Sequence, residues 1–323
     1  MKTWQDQSVL VAGLGSIGQR HTRLLHSASV KTIFVCDAVD GLARKTAETY
    51  PGVIPVESYE AGLARRPDAV FILTPPRLHI PMAVQAAQQG CHIFCEKPVS
   101  DDMTGIDTLR GVLDETGVTF AVGLCFRYHE GVKKVREIVE SGRIGRIVSI
   151  RAFMGENLPT VRPDYKTLFS AKYCGAFDLI HDLDLAVWFA GQPVRRMEVM
   201  YGNYSDIGIE APDLAEFMIE FDDRCLATVH LDFFTNPRTR EFMVTGTKGM
   251  AKVEFASWTK YTVSVWTEET GWESETRASA RDDMFTDEDT AFLKAITGEP
   301  ACIYGLDEGV RALALVDQAL HGR

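Results

Sequence analysis

The 323-residue sequence predicts an α/β protein: a doubly wound parallel sheet followed by a second, α+β domain on an antiparallel or mixed sheet. Three observations carry this reading. Short β-branched runs alternate with helical patterns from residue 8 to about 122. A glycine-rich turn joins the first of these runs to the first helix. Beyond residue 122, strand-like runs succeed one another without intervening helices. The boundary therefore falls at 123/124, giving domains 1–123 and 124–323, with the last helix able to pack back on the first domain.

The runs 9–12, 32–36, 69–73, 92–95 and 119–122 read as strands. They are apolar throughout rather than alternating, which suits a parallel sheet covered on both faces. Between them Ile17, His21, Leu24 and Leu25 recur at helical spacing, and Met82, Val84, Ala86 and Ala87 do so more loosely. A helix over about 131–141 then leads through Gly142 and Gly145 into a strand over 147–153, and a second helix is predicted over about 177–189. Strands over 194–201, 214–221, 225–234, 240–245, 251–255 and 261–266 follow, and helices over about 286–296 and 306–321 close the pattern.

Composition excludes several classes of function. Acidic residues outnumber basic ones 45 to 34, so the chain lacks the basic excess of a nucleic-acid binder. Nine acids lie between Glu268 and Asp289 against Arg277 and Arg281, which reads as a solvated face. Seven cysteines form no C-x-x-C pair, and their scatter suits reduced, buried thiols in a cytoplasmic protein. No apolar stretch is long enough for a signal peptide or a membrane span, and no metal-ligand spacing is visible.

The motif with chemical content comes first. Val9 to Ala12 runs into Gly13-Leu14-Gly15-Ser16-Ile17-Gly18, a G-x-G-x-x-G at the exit of a strand and the entrance of a helix. This is a Rossmann dinucleotide fingerprint: Gly13 makes the tight turn, Gly15 lets the backbone approach a pyrophosphate, and Gly18 allows close helix–strand packing. The helix N-terminus, with Ser16 and Ile17, supplies N–H groups. Asp37, at the end of the second strand, is placed to accept hydrogen bonds from the adenosine ribose and to repel a 2′-phosphate. NAD is therefore the expected cofactor, with Arg44 and Lys45 leaving room for NADP.

Further along, Ile72-Leu73-Thr74-Pro75-Pro76-Arg77-Leu78-His79 precedes a helix, and Cys95-Glu96-Lys97-Pro98 follows the fifth strand. With the fingerprint, these segments resemble the Gfo/Idh/MocA family, named for glucose–fructose oxidoreductase and inositol dehydrogenase. The resemblance runs on through 123–128, 142–145, 175–184 and 230–249, so it covers nearly the whole chain. It implies a Rossmann domain followed by a domain with a large open, mostly antiparallel sheet, NAD(P) bound at the carboxyl ends of the first domain's strands, and oxidation or reduction of sugars or cyclitols. It adds Thr74, Pro75, His79, Glu96 and Lys97 to the expected cofactor contacts, and it makes Lys97 the catalytic lysine. It also makes His181 the catalytic histidine, with Asp178 upstream. Many members have paired glycines and an Asp four residues before the His. Here Gly175 is followed by Ala176, and Asp178 precedes His181 by three, as in a subgroup with D-L-S-H-E-x-D.

Moving a hydride from a carbinol carbon to nicotinamide requires a base for the hydroxyl proton and a positive group beside the developing alkoxide. His181 and Lys97 fill these roles. Asp178, one helical i,i+3 step from His181, is expected to orient the ring or bind a substrate hydroxyl, with Asp184 on the same face and Asp182 directed elsewhere. Arg127, Tyr128, Tyr165, Lys166 and His230 are the candidate substrate contacts, whereas His21, His79 and His129 pack or cap rather than react. The rival readings are an NAD-dependent glycosidase or sugar-nucleotide dehydrogenase on the same fold, and a dinucleotide-binding regulator without turnover. Retained Lys97 and His181 argue against the last. A small polyhydroxy substrate is the expected partner, with no nucleic acid or membrane, in a homodimer or homotetramer that covers the open sheet.

Overall fold

The computed structural model describes residues 3–168 and 175–322. They divide into two compact units, one of residues up to 125 together with 284–314, the other of 126–283 and the residues from 315 on. The first unit thus takes back more of the chain than the last helix foreseen from the sequence.

In the first unit β1 (Ser8–Ala12), α1 (Ser16–Ser27), β2 (Thr32–Cys36), α2 (Leu42–Thr49), β3 (Val53–Pro55), α3 (Tyr59–Leu63) and β4 (Ala69–Ile72) come in that order. They are followed by α4 (His79–Gln88), β5 (His92–Glu96), α5 (Ile106–Thr116) and β6 (Phe120–Gly123). The sheet order is β3-β2-β1-β4-β5-β6, and every pairing is parallel. This is the doubly wound order of a dinucleotide-binding sheet, whose chain reversal opens a crevice at the carboxyl ends of β1 and β4. Strand alternation builds a core on each face: Leu10, Val70, Ile93 and Val122 face one way, and Val9, Val11, Phe71 and Phe94 the other. Fully burying each such aliphatic or aromatic side chain is worth about 1.5–3 kcal/mol. The returning segment supplies both cores, Leu306 and Leu313 to the first, Phe292 and Leu293 to the second.

The second unit contains α6 (Glu130–Glu140), β7 (Ile147–Gly155), the single turns α7 (Leu158–Val161) and α8 (Tyr165–Leu168), and α9 (Ile180–Ala190). Seven strands follow: β8 (Val194–Gly202), β9 (Leu214–Phe221), β10 (Cys225–Asp232), β11 (Thr239–Gly246), β12 (Gly249–Ser257), β13 (Lys260–Thr267) and β14 (Gly271–Ala278). They form one sheet in the order β14-β13-β12-β11-β7-β10-β9-β8, antiparallel except for the parallel β7·β10 pair. Burial alternates along β9 to β12, so one face is core. Met200, Met218 and Leu226 stand exposed on β8, β9 and β10. Two helices close the order, α10 (Asp283–Ile296) and α11 (Leu306–His321).

Two expectations need correction. The helix expected over 177–189 is broken at its start: Gly175–Leu179 is a 3₁₀ turn, and α9 begins only at Ile180. The acidic stretch from 268 is not one solvated face either. Its first part is the edge strand β14, and on α10 both Glu288 and Asp289 are buried. Cys302 is exposed, unlike Cys36, Cys91, Cys95, Cys125 and Cys225, while Cys174 lies outside the described residues.

Candidate functional site

The glycine turn is built as its pattern requires. Gly13 has φ 92°, and a Cβ there would sit 2.6 Å from the Leu73 carbonyl oxygen where β1 and β4 run side by side. A Cβ on Gly18 would overlap the Gly13 carbonyl oxygen, so α1 can lie this close to the turn only with glycine there. Gly15 differs from both. A Cβ there meets nothing within 4 Å, and Gly15 is the N-cap of α1 with no side-chain cap. Gly15 and Ser16 are exposed and Ile17 is half-buried, so the first-turn N–H groups face open space where an anion would sit. Asp37 supports this turn: its carboxylate accepts the Leu14 N–H at 2.6 Å and the Val39 N–H at 2.7 Å. Each carboxylate oxygen has a second lone pair, so ribose hydroxyls can still be accepted. The cradle therefore fits a dinucleotide.

The turn that carries Lys97 follows β5 directly. Glu96, the last residue of the strand, is buried, and its Oε2 accepts the Lys97 N–H at 2.7 Å. His79, expected to touch a cofactor, is instead 1 % exposed, with Nδ1 2.9 Å from the Pro98 carbonyl and Nε2 2.7 Å from the Thr74 carbonyl. With a ring nitrogen beside each carbonyl, the ring is wedged between the Thr74-Pro75 turn at the end of β4 and the Lys97-Pro98 segment, and in its neutral form it donates to one of the two. Burial lowers its pKa, and the two carbonyls oppose that shift. Thr74 is half-buried, with its hydroxyl on the Met82 sulfur, and Pro75 is exposed.

In the second unit His181 is the second residue of α9. Half-buried, it lies 5.1 Å from the Phe126 ring, centroid to centroid. Asp178, in the preceding 3₁₀ turn, does not share an α-helical face with it. Asp182 and Asp184 are fully committed. Asp182 takes a bidentate pair from Arg240 at 3.0 and 2.6 Å, and Asp184 takes one from Arg127 at 2.8 and 2.6 Å. Arg127 is therefore not a substrate contact: at 1 % exposure it neutralises a buried carboxylate.

Three further candidates fare differently. The Tyr165 hydroxyl donates to the Ile207 carbonyl at 2.9 Å, which gives it a structural partner in place of the expected substrate. His230 is on the face of the sheet away from α9 and His181. Asp182 and Phe189 of α9 reach Arg240 and Phe242 of β11, whereas His230 pairs in register with Phe153 and stacks on it at 4.3 Å on the opposite face. There it sits between Glu216 and Asp232, whose hydrogen bonds overcome the burial penalty and raise its pKa. Tyr128 is buried and Lys166 exposed.

Residues 7–124 match the family model described as an oxidoreductase family with an NAD-binding Rossmann fold, and residues 132–252 match the GFO/IDH/MocA C-terminal domain. The chain belongs to the Gfo/Idh/MocA family. Among its relatives, the inositol 2-dehydrogenase of Leifsonia xyli is 30% identical over 64% of this chain and 60% of its own length. The 2,7-anhydro-N-acetylneuraminate hydratase of Escherichia coli is 26% identical over 76% of this chain and 66% of its own. The matches thus span less than two thirds of these relatives. A myo-inositol 2-dehydrogenase from Lactobacillus plantarum superposes with a TM-score of 0.82 at 23% identity, covering 97% of this chain and 96% of that one. A UDP-N-acetylglucosamine 3-dehydrogenase from Acidithiobacillus ferrooxidans does so at 0.81 and 22%, over 97% and 96%. These two likenesses show the fold.

One group in this Gfo/Idh/MocA chain escaped sequence reasoning. His21 of α1, fully buried, has Nδ1 2.8 Å from Asp289 of α10 and Nε2 3.8 Å from Glu96. Burial alone would lower its pKa. The charge and hydrogen bond of Asp289, with Glu96 and Glu288, reverse that and raise it to about 10. Glu288 is buried with neither carboxyl oxygen hydrogen-bonded among the described residues, and burial pushes its pKa well up. No local motif links positions 21 and 289. A carboxylate pair on the apolar flank of a helix was the available signal.

Proposed function

We propose that the chain is an NAD-dependent oxidoreductase acting on a CH–OH group of a sugar, sugar derivative or cyclitol. The observation that carries the reading is the Lys97 turn. It leaves the carboxyl end of β5 with its backbone held by Glu96 and His79, in the same unit as an open glycine turn at a helix N-terminus. The names of the dehydrogenase relatives support the substrate class.

Bound NAD supplies the hydride acceptor for the carbinol carbon. His181 takes the hydroxyl proton, Asp178 binds a neighbouring hydroxyl, and Lys97 offers its ammonium to the developing alkoxide. Tyr128 and Lys166 remain as substrate contacts. Screening sugars and cyclitols for NAD reduction tests the activity. His181→Ala should lower turnover by about 100- to 10,000-fold with NAD affinity little changed, and Lys97→Ala should do similar damage to turnover. Oxidation should fall in acid as His181 protonates, and only His181→Ala should lose that limb. Near-native turnover with the same acid limb in His181→Ala would remove it from the mechanism.

The E. coli relative's name favours a second reading, net hydration of an anhydro sugar by the same residues. Product analysis separates the two, since NADH accumulates only in net oxidation. Five buried free thiols support a reducing, cytoplasmic location, and among the described residues no helix is long and apolar enough to cross a membrane. The exposed Met200, Met218 and Leu226 support a homodimer or homotetramer that buries them.

A further inference from the structure

We infer that His21 and Asp289 are positioning residues for Lys97, acting through Glu96. The inference rests on the reading above that Lys97 meets the substrate. The geometry is a chain of contacts inside the first unit. Asp289 Oδ1 lies 2.8 Å from His21 Nδ1, and the opposite ring nitrogen faces Glu96 Oε1 at 3.8 Å. That is an ion-pair distance, too long for a hydrogen bond. The other oxygen of the same carboxylate accepts the Lys97 N–H at 2.7 Å. A shift of α10 or a change of charge at His21 is thereby passed to the backbone atom from which the lysine side chain departs.

The surroundings make a purely stabilising role a poor account of this group. The His21 ring is walled by Phe94 at 5.3 Å, Phe285 edge-on at 5.8 Å and Phe71 at 6.1 Å. Beside it Glu288 holds a carboxyl with no hydrogen-bond partner among the described residues. Burying polar groups among aromatic rings costs stability unless every one is satisfied, and an apolar replacement of similar volume is often neutral or better. Nor is it a metal site: no group of three or more His, Cys, Asp and Glu side chains among the described residues could hold a metal ion. What the cluster does accomplish is to set His21 against the carboxylate that holds the Lys97 amide. The titratable groups facing His21 are Asp289 and Glu288 from α10 and Glu96 from β5, with Arg20 of its own helix over the Phe285 ring.

The test uses the full chain with Asp289→Asn, which is isosteric, and His21→Phe, which suits an aromatic box. Three quantities are read. Protein labelled with ¹⁵N-lysine, its Lys97 amide assigned by the signal missing from Lys97→Arg, reports the shift and hydrogen exchange of that amide. NAD titration reports the integrity of the unit. Where a sugar or cyclitol is turned over, steady-state kinetics give kcat and KM. Both variants should bind NAD within about threefold of native, exchange the Lys97 amide at least tenfold faster, and lose about 10- to 100-fold in kcat with KM little changed. Native exchange at Lys97 in folded, NAD-binding variants would overturn the inference. So would failure of both variants to fold, since the pair would then be structural. If the native protein oxidises nothing in the panel, the oxidoreductase reading fails, while the Lys97 amide still decides the positioning role.

Discussion

The glycines of the first turn make opposite demands, and a pair of single-methyl substitutions separates them. Gly15→Ala places a Cβ in open space at φ −63° and ψ −167°, a conformation any residue adopts. Alanine is the poorer N-cap by roughly 0.5–1 kcal/mol, while its smaller unfolded-state entropy returns about 0.4–1 kcal/mol. The unliganded stability of Gly15→Ala should therefore stay within about 0.5 kcal/mol of native in urea unfolding. The same methyl stands where a pyrophosphate would approach the backbone, so NAD affinity should fall at least 100-fold, or about 2.7 kcal/mol. Gly18→Ala reverses the pattern. Its Cβ collides with the Gly13 carbonyl oxygen, a backbone atom that cannot swing aside, and overpacking of this kind costs about 1–3 kcal/mol or more before any ligand is added. Titration of NAD by quenching of protein fluorescence, with urea curves on the unliganded proteins, gives both numbers. Native NAD affinity in Gly15→Ala would refute the placement of the cofactor at this helix. An unchanged urea midpoint in Gly18→Ala would refute the packing argument.

Three other outcomes are expected. Asp37→Ala should narrow the preference for NAD over NADP by on the order of 1–3 kcal/mol. It should also destabilise the unliganded protein, because the Leu14 and Val39 amides lose their acceptor; titrating both dinucleotides beside a urea curve checks each effect. Asp184→Ala strands Arg127 as a buried charge and should cost about 3–5 kcal/mol, so a loss below 1 kcal/mol in urea unfolding would show that the pair is dispensable. His21, raised to about 10 in the fold from 6.5, binds its proton more tightly folded than unfolded. Its contribution is complete below pH 6.5 and is lost as pH climbs toward 10. The unfolding free energy should therefore fall as pH rises across that window, and His21→Gln should flatten the fall.

The strands were legible where burial makes them so. The predicted 32–36, 214–221 and 306–321 coincide with β2, β9 and α11, and the other predicted elements that formed lie within a few residues of observed ones. The helices α2, α3 and α5 went unplaced, although Ile106 and Leu109 of α5 are buried, and so did two elements that pack weakly. β3 has three residues, two of them exposed, and β14 is an edge strand whose Glu-Ser-Glu-Thr-Arg run reads as solvated chain. Motif positions placed Lys97 in its turn and His181 near the start of α9. Spacing within a motif cannot show which charges are already paired, and this is why Arg127 read as a substrate contact while its partner lay 57 residues away at Asp184. The same blindness to long-range pairs hid His21 and Asp289, 268 residues apart.

The return of residues 284–314 to the first unit has a consequence for the order in which the protein is made. Phe292 packs edge-on against Phe71 at 5.5 Å and beside Phe94 at 5.8 Å, so one wall of the parallel sheet's core is translated after the entire second sheet. A ribosome that has released only the first 125 residues has produced six strands whose aromatic face has His21 and Leu25 of α1 beside it but still lacks Phe292 and Leu293. Its acquisition of native packing must wait for some 160 further residues to emerge. Throughout that interval Phe71 and Phe94 lack the ring that completes their packing in the folded unit.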